Sequence, residues 1–132
     1  MEDLYELLGS LIIVFYGLTV ANFFLKFVLR HFRKQLQRFP RFFRFYTSLV
    51  KFFVRYHRYF GFATVLFIIG HFWSVSTTRG LSTTGFIAAG LMIFQVLLGI
   101  FGKYFHPKGK AWLWIHRVIT IILAIAIAIH VE

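Results

Sequence analysis

The chain has 132 residues, of which 59% are hydrophobic, 21% aromatic and only 14% charged, with a formal charge of +11. So apolar a composition argues against a soluble domain, where charged residues approach a quarter of the total. Cysteine is absent, which excludes disulfides, thiolate zinc sites, iron–sulfur clusters and covalently attached c-type haem.

The start, "MEDLYELL", is acidic where a secretory signal needs a basic region, so no signal peptide is expected. The first apolar segment runs over roughly Leu8–Leu29. It is followed by "RHFRKQLQRFPRFFRFYTSLVKFFVRY", a basic and aromatic connection over 31–56 that Pro40 should break or bend. Such a segment is expected to lie on an anionic lipid surface. Three further apolar segments follow at Tyr59–Val75, Gly85–Phe101 and Ala111–Val131. Each of the four is about long enough to cross a bilayer as a helix. The alternation in "ILAIAIAI" does not make a strand, because a lone strand in lipid leaves its backbone unpaired. The expected fold is an all-α membrane protein, a single domain over 1–132 built as a four-transmembrane-helix bundle.

Charge predicts the orientation. Ten basic residues stand between Lys26 and Arg58, namely Lys26, Arg30, Arg33, Lys34, Arg38, Arg41, Arg44, Lys51, Arg55 and Arg58. Lys103, Lys108, Lys110 and Arg117 surround the third connection, whereas the second holds only Arg79. The four acids, Glu2, Asp3, Glu6 and Glu132, lie at the chain ends. Basic connections stay in the cytoplasm, so both termini are expected outside. Membrane lipid, not nucleic acid, is the expected partner of the basic connection. The expected location is a prokaryotic plasma membrane, crossed several times.

Two segments carry the chemistry. "HRYFGFATVLFIIGH" runs from His57 to His71, and "HRVITIILAIAIAIH" from His116 to His130. Fourteen helical residues rise about 21 Å and complete nearly four turns, so both histidines of a segment share one face at two depths. The second and fourth spans run parallel, which matches His57 with His116 and His71 with His130. Two imidazoles facing one another across a bundle can ligate a haem iron. The pattern therefore predicts two stacked, non-covalent haems b, the inner on His57 and His116 and the outer on His71 and His130. Isolated histidines bonding between helices would not explain four at matched depths, and ionisable groups inside a membrane are usually functional.

Neighbouring residues are read around this pair of sites. Gly61 and Thr120, one turn beyond His57 and His116, leave room for a macrocycle. Arg58 and Arg117 follow the inner ligands and either bind haem propionates or reach lipid phosphates. On the third span Gly85, Ala88, Met92, Gln95, Gly99 and Gly102 form a small face, read first as helix packing and second as haem lining. Gln95 either bonds across the bundle or lies near a haem. His31 and His106 are read as solvated or interfacial.

The paired histidines resemble the haem-binding core of transmembrane di-haem b-type cytochromes. The arrangement is similar to the first four helices of respiratory cytochrome b, to the ferric reductase-like transmembrane domain and, more loosely, to the cytochrome b561 family. The resemblance covers about residues 55–131 and rests on the four histidines. It implies electron transport across the membrane. The extra helices usual in the ferric reductase and b561 families are not matched. Nor is the flavin- and nicotinamide-binding domain of ferric reductases, and no Gly-rich dinucleotide motif occurs. The quinone site of cytochrome b cannot be carried over.

The sequence therefore predicts an electron-transfer protein rather than a self-contained enzyme, with no catalytic residues. Its donor would be a quinol or a cytoplasmic flavoprotein, and its acceptor a redox protein or ferric species on the outer face. One alternative is a haem b subunit of a larger quinone-linked oxidoreductase. Another is a haem-free metal-ion or proton transporter, against which no Asp or Glu lies in any span. A homodimer is compatible with so thin a bundle.

Overall fold

A computed structural model describes residues 2–132. It consists of helices, with no strand among the described residues: α1 (Glu2–His31), α2 (Arg33–Gln37), α3 (Pro40–Thr78), α4 (Thr83–Phe105) and α5 (Ala111–Val131). By length and composition, α1, α3, α4 and α5 can each cross a membrane. Their outward faces carry exposed apolar side chains such as Leu66, Trp73, Leu97 and Ile121. Such a surface suits lipid rather than water.

Local chemistry sets the helix ends. Glu2 and Asp3 occupy the first turn of α1, and Arg30 and His31 its last, each complementing the helix dipole. Pro40 begins α3 within its first turn, where its missing N–H costs nothing. Gly80 closes α3 with a φ of 84°, and its N–H donates to the Val75 carbonyl at 3.0 Å. That left-handed turn favours glycine. Ser82 caps α4 by accepting the Gly85 N–H at 3.1 Å.

The basic connection differs in shape from a separate surface helix. Only Arg33–Gln37 forms a short helix of its own, and residues 40–58 continue into the second span as one helix of 39 residues. At 1.5 Å per residue α3 is about 58 Å long, roughly twice a hydrocarbon core. The Tyr46 hydroxyl donates to the Leu25 carbonyl at 2.6 Å, and Tyr46 and Val50 are buried. The extension therefore stays packed on the end of α1, with Phe42, Phe45 and Phe52 exposed.

The bundle is two antiparallel pairs. α1 backs α3 and α4 backs α5, while α3 meets α4 only briefly. The helices that carry the paired histidines, α3 and α5, thus run parallel across a gap, each braced from behind.

Candidate functional site

The structure brings the four histidines together in the predicted pairs. The ring centres of His57 and His116 lie 6.2 Å apart at an interplanar angle of 72°. Those of His71 and His130 lie 6.3 Å apart at 88°. The second pair sits at the end of the bundle bearing the chain termini, and the first at the basic end. Two imidazoles on opposite sides of one metal atom, with metal–nitrogen bonds of about 2 Å, have ring centres roughly 6.3 Å apart. Midway between the levels, seven residues from each histidine, Thr64 and Leu123 are fully buried.

The helix behind each ring orients it. On α3, His57 Nδ1 lies 2.9 Å from the Thr19 carbonyl and His71 Nδ1 lies 2.9 Å from the Tyr5 carbonyl. A carbonyl can only accept, so the proton sits on Nδ1 and each Nε2 keeps its lone pair. An imidazole with Nδ1–H anchored and Nε2 free is poised to bind a metal. On α5, His130 Nδ1 meets the Thr84 hydroxyl at 3.0 Å. His116 Nδ1 is buried near the Gln95 main chain but outside good hydrogen-bond geometry.

Three glycines let the backing helices approach the rings. A Cβ on Gly9 would stand 3.4 Å from His71 Cε1, one on Gly99 3.3 Å from His116 Cε1, and one on Gly85 3.1 Å from His130 Cε1. The small face of α4 packs against the α5 rings, and its Gly85, Ala88 and Met92 also line the larger cavity. Gly85 and Gly99 seat the α5 rings, while Ala88, Met92, Gln95 and Gly102 are the buried residues of α4.

One cavity lies beside the His71–His130 pair and another beside His57. A cavity of about 830 Å³ at the termini end is lined by residues including His71, His130, Gly9, Gly85, Thr64 and Leu123. A second, of about 360 Å³ at the basic end, is lined by Val54, Arg55, His57, Arg58 and Lys103.

The remaining predicted residues separate by role. Gly61 has no protein atom within 4 Å of a Cβ built on it. Gln95 bonds across the bundle, its Nε2 donating to the His116 carbonyl at 2.7 Å and to the Thr120 hydroxyl at 2.5 Å. Thr120 in turn donates to the His116 carbonyl at 2.8 Å, and its own carbonyl accepts from the Tyr16 hydroxyl at 2.6 Å. Thr120 therefore knits α1, α4 and α5 together. Arg58 lines the smaller cavity and lies 5.0 Å over the Tyr59 ring. Arg117 lies 5.9 Å from the Trp114 ring, at the same end of α5. His31 and His106 are exposed, and neither joins the pairs. The contributions of Tyr5, Thr19, Thr84 and Gly9 are new here. Two of them act through main-chain carbonyls, which residue type does not reveal.

Among the described residues, no group of three or more His, Cys, Asp or Glu gathers around one point. Each pair thus presents two histidines, fewer protein donors than a structural zinc site uses. No family model, curated protein or solved structure matches the chain.

Proposed function

We propose that the chain carries electrons across a membrane, holding one haem b between His57 and His116 and a second between His71 and His130. The observation that supports this best is the matched ring separation, 6.2 and 6.3 Å, in a gap flanked by helices that anchor the rings from behind. Bound haem supplies a one-electron couple between ferrous and ferric iron. The residues present fit that group: Nδ1 of His57 and His71 is anchored on carbonyls, Gly85 and Gly99 cradle the facing rings, and the larger cavity has room.

Two imidazoles committed to each iron leave no coordination position for substrate, so the histidines favour transfer over chemistry at the metal. Arg55, Arg58 and Lys103 surround His57 and offset negative charge at that end. With basic connections in the cytoplasm, the His71–His130 pair lies toward the outside and serves an external redox partner. A quinol or a cytoplasmic donor serves the His57–His116 pair.

The test is a visible spectrum of the detergent-purified protein, oxidised and then reduced, with haem quantified per chain. A low-spin b-type spectrum with two haems per chain is the expected result. A protein that takes up no haem when expressed with ample supply overturns the reading.

A further inference from the structure

The larger cavity has a polar mouth at the termini end that the ligand pairs do not account for. Tyr5 lines this cavity and is only 7% exposed, yet its hydroxyl has no hydrogen-bond partner. A buried hydroxyl without a partner costs stability and marks a place where a polar group is missing. Arg79 lines the same cavity, with its guanidinium carbon 4.9 Å over the Tyr5 ring. It is the sole lysine or arginine in the connection between α3 and α4. Its ion pair with Glu2, at 3.6 Å, is exposed on both sides, and such pairs hold weakly. Glu6 lines the cavity too, so an anion entering here would meet repulsion that Arg79 offsets.

A guanidinium stacked on the ring of a tyrosine with a free hydroxyl, both lining one cavity, offers donors that suit a carboxylate. We propose that Arg79 and the Tyr5 hydroxyl bind a carboxylate at this mouth, and that it is a propionate of the haem held by His71 and His130. This rests on the two-haem reading. It also turns that macrocycle so that its carboxylates face the chain termini. Tyr5 then serves the site twice, through its carbonyl to His71 and through its hydroxyl to the carboxylate.

The test uses the full chain in detergent, loaded with haem b or with haem dimethyl ester, which has no free carboxylate. Haem loss to an acceptor protein is timed at each site, and each site is titrated spectroscopically. Arg79→Gln should speed loss of haem b from the His71–His130 site about tenfold and leave the other site unchanged. Loss of the dimethyl ester should be the same in the variant and the natural chain. Tyr5→Phe keeps the carbonyl bond to His71 and should give a smaller effect in the same direction. Removing the Arg79 cation disfavours the reduced haem, whereas Glu2→Gln frees Arg79 and favours it. The reduced-to-oxidised ratio at fixed potential should therefore fall about threefold in the first variant, roughly 28 mV at 59 mV per decade, and rise in the second.

Equal loss of haem b from Arg79→Gln and the natural chain overturns the assignment. So does a citrate-dependent spectral change that Arg79→Gln abolishes without altering haem retention, which would put a soluble carboxylate there instead. A natural chain that takes up no haem overturns the two-haem reading as well, so the two failures are distinct.

Discussion

Gly61 offers a test in which polypeptide and cofactor give opposite answers. It lies one turn beyond His57 on α3, and a Cβ built on it meets no protein atom within 4 Å. To the polypeptide alone, Gly61→Ala is therefore harmless. It should raise the stability of the haem-free protein by about 0.5–1 kcal/mol, because alanine is the better helix former. A macrocycle held between His57 and His116, as proposed, would change the sign. The added methyl would press on it, and overpacking of this kind costs about 1–3 kcal/mol. That corresponds to roughly 5- to 150-fold weaker haem binding, at a factor of ten per 1.4 kcal/mol.

The assay pairs thermal unfolding of the haem-free protein with a haem titration followed at the absorbance of each site. Gly90→Ala is the control, since a Cβ there also meets nothing within 4 Å and Gly90 is exposed. The expected pattern is raised or unchanged haem-free stability in both variants, with weaker haem binding at the His57–His116 site in Gly61→Ala only. Unchanged haem affinity in Gly61→Ala would refute the view that Gly61 clears space for a macrocycle. Lower haem-free stability would refute the open environment of Gly61 itself.

Two other predictions concern the ligands and the hairpin that carries them. His71→Ala or His130→Ala should remove one haem and leave the other, while His57→Ala or His116→Ala should do the reverse; haem per chain decides, and full content in all four variants would sink the ligand assignment. At Gly102, a Cβ would overlap the Trp112 indole, whose Nε1 donates to the His106 carbonyl at 2.8 Å. Gly102→Ala should destabilise the α4–α5 pair by about 1–3 kcal/mol, seen as a lower thermal midpoint and altered tryptophan fluorescence, with partial recovery in the double variant Gly102→Ala/Trp112→Leu. An unchanged midpoint would contradict this packing.

Much of the arrangement is legible because the bilayer leaves the chain few choices. Continuous apolar runs can only be helices, so α5 matches its predicted range of Ala111–Val131 at both ends. Helical periodicity then puts His57 with His71, and His116 with His130, on shared faces. The first span and the basic connection were less legible. α1 begins at Glu2 rather than near Leu8, because its acidic first turn still favours the helix. α3 absorbs residues 40–58 because Tyr46 and Val50 pack the extension against α1. The orienting carbonyls of Tyr5 and Thr19 had no signature at all, since every residue carries one. Only their spacing hints at a role: Tyr5 and Thr19 are fourteen residues apart, as are Gly85 and Gly99 on α4.

That interval, shared with the histidines of α3 and α5, makes each site a cross-section through four helices: a carbonyl, a histidine, a glycine and a histidine. The copy is imperfect: Gly9 approaches His71 and no glycine approaches His57, and the α5 histidines differ at Nδ1. Gly85 and Gly99 approach their rings alike, 3.1 and 3.3 Å from Cε1. The residue before Gly85 is Thr84, which bonds His130 Nδ1. The residue before Gly99 is Leu98, which has no hydroxyl, and His116 Nδ1 has only the Gln95 main chain nearby, outside good hydrogen-bond geometry. The Thr84 hydroxyl is thus one difference between the sites that a single substitution can reverse. Partners of this kind are worth about 10- to 100-fold in metal affinity and make the ligating nitrogen more basic. Thr84→Val should therefore weaken haem binding at His71–His130 about tenfold and raise the potential of that haem. Leu98→Thr should strengthen binding at His57–His116 and lower its potential, because a more basic ligand favours ferric iron. Each variant should leave the other site unchanged in a spectroscopic redox titration. Shifts of the same sign in both variants, or at both sites at once, would mean that the hydroxyl contact at His130 does not distinguish the two sites.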